Sequence, residues 1–132
     1  MSVKHESALG SVKAAAAAPA NIAGRWRNEL GSWTDFHVSA VGLLSGHYHS
    51  AVGLNGGPVD SDDLTGYVQG DLVSFMVRWP DAAITSWVGR HKVDEATGDA
   101  SIETLWQMTL MNSDGVGGFW HSILAGADHF SR

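Results

Sequence analysis

The chain has 132 residues, enough for one core, with a net charge of −6, no cysteine and six tryptophans. The acidity argues against nucleic acid and against an anionic membrane as partners, and no apolar run approaches the roughly 18 residues of a membrane-spanning helix. Without cysteine there is neither a disulfide framework nor a thiolate metal site.

Residues 1–23, MSVKHESALGSVKAAAAAPANIA, are Ala-rich and lack aromatics. This composition predicts a frayed helix ahead of Pro19 or no fixed structure. It makes a poor signal peptide, because His5 and Glu6 interrupt the basic region and five alanines form a weak apolar run. It reads as a flexible tail or processing remnant, with the folded domain set at 24–132.

From Gly24 onward, period-2 segments alternate with short Gly, Pro, Asn or Asp breaks. Strands are expected over 24–29, 32–39, 45–52, 64–69, 71–79, 84–91, 101–111 and 119–131. NELGS (28–32) has the composition of a hairpin turn, in which Asn28 and Ser32 either shape the chain or hold a ligand. The stretch LNGGPVDSDD, Leu54 to Asp63, is polar and Gly-rich and reads as a long exposed loop, a candidate lid. Sequential strands with short turns favour an all-β, eight-stranded antiparallel up-and-down barrel, whose closure removes exposed edges.

Alternation also sorts side chains by face. Trp26 and Asn28 point in, with Arg25, Arg27 and Glu29 opposite. Tyr48, Ser50 and Val52 share a face, as do Val73, Phe75, Val77 and Trp79, then Thr85 and Trp87, then Ile102, Thr104, Trp106 and Met108. In the last strand Leu124, Gly126, Asp128 and Phe130 point in, leaving Ile123, Ala125, Ala127 and His129 outside. The interior therefore combines Asn28, Ser32, Tyr48, Ser50, Thr85 and Asp128 with several Trp. An unpaired buried polar group costs roughly 1–3 kcal/mol, so such an interior suits a ligand rather than a plain core. An eight-stranded barrel leaves room for one small ligand.

Plainer readings compete. An inward Trp is usually core. His47 and His49, at i and i+2, suggest a metal, but they face outward with no evident third ligand, and no metal site is expected. Catalysis would need a base beside a nucleophile, and no inward His is available to Ser50, so no enzyme is expected. The apolar outer set on the last strand, with Leu105 and Met76, points to self-association.

The stretches GRWRNELGS, SGHYHSAVG, LTGYVQG, FMVRW, ITSWVG, IETLWQM and FWHSILAGADHF, in this order from Gly24 to Phe130, resemble the avidins, and most of all the streptavidin-like bacterial biotin-binding proteins. The resemblance implies non-covalent binding of biotin. Asn28, Ser32 and Tyr48 would donate to its ureido oxygen, Ser50 and Asp128 would accept from its N–H groups, and Thr85 would face the sulfur. Trp79, Trp87 and Trp106, with Val52 and Met108, would wall the ring and chain. Leu54 would begin the lid, and Trp120 would reach a neighbouring subunit's pocket. The resemblance further implies a homotetramer, no cofactor, and a secreted or periplasmic protein. Two positions depart from the family pattern: Ala83 replaces a frequent Ser near the ligand's carboxylate, and Leu54 a polar residue. The alternative is a lipocalin-like carrier of another small apolar ligand, suggested by Gly24-Arg25-Trp26. Such chains generally run longer and add a helix after the barrel.

Overall fold

In the computed structural model, which describes residues 5–10, 18–53, 56–80, 82–111 and 123–132, the alternating segments form eight antiparallel strands. They are β1 (Gly24–Asn28), β2 (Trp33–Val38), β3 (Leu43–Ser50), β4 (Val59–Gln69), β5 (Leu72–Trp79), β6 (Ala83–Val93), β7 (Ala100–Leu110) and β8 (Ile123–Ser131). A six-residue helix, α1 (His5–Gly10), precedes them. Each strand pairs with its sequence neighbours and β8 returns to β1, giving the expected closed up-and-down barrel. The closing seam is short, pairing only Arg27 with Ser131 and Asn28 with Phe130.

The expected loop from 54 to 63 is corrected. β4 begins at Val59, so only 51–58 connect it to β3. The cause is a bulge: Gly46 faces Leu64 whereas Tyr48 faces Ser61, so β4 carries one extra residue. Asp62 and Asp63 are consecutively exposed as a result, which breaks the period-2 signal. The Ser61 hydroxyl serves the bulge by accepting from Asp63 N (3.0 Å) and donating to Arg78 O (2.7 Å). Opposite, Gly46 has φ +150°, and a Cβ there would lie 1.9 Å from Asp35 O. Only glycine lets β3 approach β2 this closely.

Packing begins before Gly24. Ile22 is fully buried, and its carbonyl accepts from Trp26 Nε1 (2.9 Å). Ala20 N donates to Gly70 O (2.9 Å). Arg132 donates to the carbonyls of Asn21 and Ala23 and lies over the Trp26 ring. This segment closes one end of the barrel. Beneath it Trp26, Phe36, Leu44, Val68, Val73, Ile102 and Phe130 form a core. Midway up, Trp87 is stacked between Tyr48 and Phe75, both at 4.7 Å between ring centroids. Here the close packing ends.

On the outside, lateral neighbours Leu43, Tyr67, Ser74, Val88, Leu105 and Ala127 form a row across β3 to β8. Leu105 is 71% exposed. His47 and His49 are also outside, flanking Trp33, and they bond Asp60 and Asp62 of β4.

Candidate functional site

Above the aromatic stack, at the end where β1, β3, β5 and β7 finish, the barrel holds a cavity of about 250 Å³. This lies just under the roughly 300–1,000 Å³ of drug-sized ligand pockets, so the guest is small. Eleven expected site residues line it: Asn28, Ser32, Tyr48, Ser50, Val52 and Trp79, together with Thr85, Trp87, Trp106, Met108 and Asp128. Leu54 and Trp120 lie outside the described residues. Val52, expected on a strand, sits just past β3 and is 67% exposed, yet it still edges the cavity.

Leu30, Gly53 and Val59 also line the cavity and were not anticipated. Leu30 is concealed within the turn, and Val59 in the stretch whose alternation the bulge disrupts. Allowing one extra residue at Asp62–Asp63 recovers the inward phase of β4.

The hydrogen bonds assign a direction to each polar group. Asn28 Oδ1 accepts from Leu30 N and Ser32 N, both at 3.0 Å, and so shapes the NELGS turn. Its NH₂ makes no hydrogen bond among the described residues and remains a donor. Ser32 Oγ accepts from Ala51 N (2.9 Å), which leaves its proton to donate. The turn and the cavity thus use different atoms of the same two side chains. The Tyr48 hydroxyl also has no partner among the described residues. Burial, reinforced by the charges of Asp128 and Glu29, pushes its ionisation well above the usual tyrosine range, so it stays a phenol.

The acceptors are equally fixed. Ser50 Oγ donates to Val52 O (2.9 Å), leaving its lone pairs for a guest. Asp128 Oδ2 accepts from Trp87 Nε1 (2.9 Å), leaving Oδ1. Burial pushes the Asp128 carboxyl up; the Trp87 bond opposes this and Glu29 adds to it. Thr85 Oγ1 accepts from Trp79 Nε1 (2.9 Å) and keeps its proton. Trp106 stands where β8 offers only Gly126, and a Cβ there would fall 2.6 Å from its ring.

Four donors, on Asn28, Ser32, Tyr48 and Thr85, and two acceptors, on Ser50 and Asp128, beside indole walls suit a small guest that is apolar in part and carries polar groups. Among the described residues no cluster is arranged to hold a metal ion, and no helix is long and apolar enough to cross a membrane.

Comparison with known proteins agrees with this architecture. The model of the Avidin family matches residues 16–132. Xenavidin is 30% identical with a TM-score of 0.71, covering 85% of this chain and 96% of that one. AVR2 is 26% identical with a TM-score of 0.72, covering 88% and 98%. The rhizavidin–biotin complex is 27% identical with a TM-score of 0.64, covering 82% and 96%. With the whole barrel, from the Ile22 plug to β8, inside the matched region, the chain belongs to the avidin family.

Proposed function

We propose that the protein binds biotin non-covalently within the barrel. The observation that carries this reading is the hydrogen-bond direction of the five polar groups. Asn28, Ser32 and Tyr48 are left as donors for a ureido oxygen, while Ser50 and Asp128 are left as acceptors for its two N–H groups. The Thr85 proton serves the ring sulfur, and Trp79, Trp87, Trp106, Val52 and Met108 enclose the apolar ring and chain. Rhizavidin, solved with biotin, supports the choice of ligand. The protein acts by binding rather than turnover: the Ser50 proton is held by Val52 O, and no imidazole is among the described lining residues. No cofactor is needed, and family membership favours a secreted protein. Calorimetric titration with biotin tests the reading. Saturable binding is expected, and an absence of heat and of thermal stabilisation refutes it.

We further propose a homotetramer. The outer row through Tyr67, Val88 and Leu105 supplies an apolar face for a second copy, and Trp120 of one subunit completes a neighbour's pocket. Leu105→Glu puts a charge in this row and should reduce the mass seen by sedimentation. A parent protein that is monomeric with and without biotin refutes the assembly.

A further inference from the structure

Beyond the bulge, β3 and β4 share three residue pairs before they part at the rim: Tyr48 with Ser61, His49 with Asp60 and Ser50 with Val59. Tyr48, Ser50 and Val59 of this short stretch line the cavity. Its outer face carries a cluster that guest binding does not use. His47, opposite the bulge, places Nδ1 2.6 Å from Asp62 Oδ1 and Nε2 2.7 Å from Asp60 Oδ1. His49 Nδ1 lies 2.9 Å from the same Asp60 oxygen. A neutral imidazole has one N–H, so it would donate to one carboxylate and turn a lone pair on the other. The imidazolium form of His47 donates to both.

The other groups facing the ring suit that form. On β2, Asp35 pairs with His47 in register; Arg25 of β1 binds it at 2.7 and 2.9 Å, and the charge of His37 also acts on it. On β4, Asp63 is bound to Arg78 of β5. Trp33 of β2 stacks on both imidazoles, with the Arg25 guanidinium 3.7 Å from its ring centroid, and an indole face attracts cations. Hydrogen bonding to Asp62 holds the His47 ring above the ordinary histidine value. The double contact is therefore complete at mildly acidic pH and lost as pH rises through that higher value.

With biotin as the guest, as proposed above, we propose that His47 is a positioning residue for Tyr48 and Ser50: as an imidazolium it clips the rim stretch of β3 to β4, so the guest leaves faster as pH rises through the histidine range. Fraying of the three pairs withdraws Tyr48 and Ser50 from the guest and breaks the clip. Loss of the proton removes one of the two bonds beforehand and makes fraying easier. The test is the dissociation rate of fluorescently labelled biotin, chased with unlabelled biotin, from mildly acidic to alkaline pH. On the alkaline side, release from the parent should quicken by about 1.4- to 5-fold, the worth of one exposed ion pair. His47→Gln should flatten this rise. So should Asp62→Asn, whose amide can donate to Nδ1 of a neutral ring while Nε2 still donates to Asp60. Any acid limb owed to Asp128 runs in the opposite sense and stays in both variants. A parent rate that does not rise overturns the inference and leaves the biotin reading standing, and so does a rise that persists in either variant. If biotin does not bind, the biotin reading falls, and this one with it.

Discussion

Asp128→Asn isolates the charge at the ureido end while preserving shape. In the parent, one carboxylate oxygen accepts from Trp87 Nε1 and the other remains for the ligand. Asparagine replaces one of the two oxygens by an NH₂ donor, so the indole N–H or the ligand N–H faces a donor where the carboxylate offered an acceptor. A charge-assisted hydrogen bond contributes about 1.5–3 kcal/mol, equivalent to a loss of roughly 10- to 150-fold in affinity. The ligand-free protein should respond in the opposite sense. Burial holds the folded carboxyl above its usual pKa, so its ionised form opposes folding. That penalty is complete above the folded pKa and relieved as pH falls through it, so at neutral pH the variant should be no less stable than the parent. Calorimetry with biotin and thermal melts without it, both at neutral and acidic pH, separate the two effects. Affinity of the parent should weaken on acidification from above the usual carboxylate range, and this dependence should vanish in Asp128→Asn. Equal affinities for parent and variant would refute the assigned acceptor role.

Gly126→Ala drives a methyl group into the Trp106 ring, an overpacking of about 1–3 kcal/mol; biotin binding should weaken and tryptophan emission shift, and unchanged values would discount the packing described. Ala82 has φ 59°, a left-handed conformation costing a non-glycine residue about 1–2 kcal/mol, so Ala82→Gly should raise the unfolding free energy from urea melts by about 0.5–1 kcal/mol after glycine's entropy is set against it. Hydrogen bonding to Asp62, helped by Asp60 and opposed by burial, holds His47 above the usual histidine pKa. Its stabilisation is present below the unfolded histidine value and lost as pH rises through the folded one, so urea melts should show His47→Gln less stable at mildly acidic pH, by under about 1 kcal/mol, and indistinguishable at alkaline pH.

Legibility in the sequence followed the regularity of the local backbone. β5 and β7 alternate cleanly because one face of each meets a packed or hollow interior and the other meets water. Trp79, Trp106 and Met108 could therefore be placed on the cavity side from spacing alone. Val59 could not, because the extra residue at Asp62–Asp63 shifts the phase midway along β4. Ile22 stood among alanines without periodicity, and its burial depends on Gly70 and Arg132, which are distant in sequence. The direction of each hydrogen bond was legible only in three dimensions. Whether Ser32 donates or accepts depends on Ala51 N, and whether Ser50 does depends on Val52 O.

The brief seam between β1 and β8 has a kinetic meaning. Every other strand pairing is a hairpin between sequence neighbours, formed without a large loop-closure cost. Among the strand pairings the seam alone joins residues more than a hundred positions apart, through two residue pairs reinforced by Glu29 Oε2 accepting from His129 N and by Arg132 donating to the carbonyls of Asn21 and Ala23. The meander can therefore be nearly assembled before the barrel shuts, and the seam is the place for it to open first. Asn28 and Asp128 lie on opposite sides of that seam and both face the cavity. A guest held by both acts as a staple across the join, so binding slows amide exchange most in β1 and β8. Parting of these two strands then requires the guest to let go of Asn28 or Asp128 first.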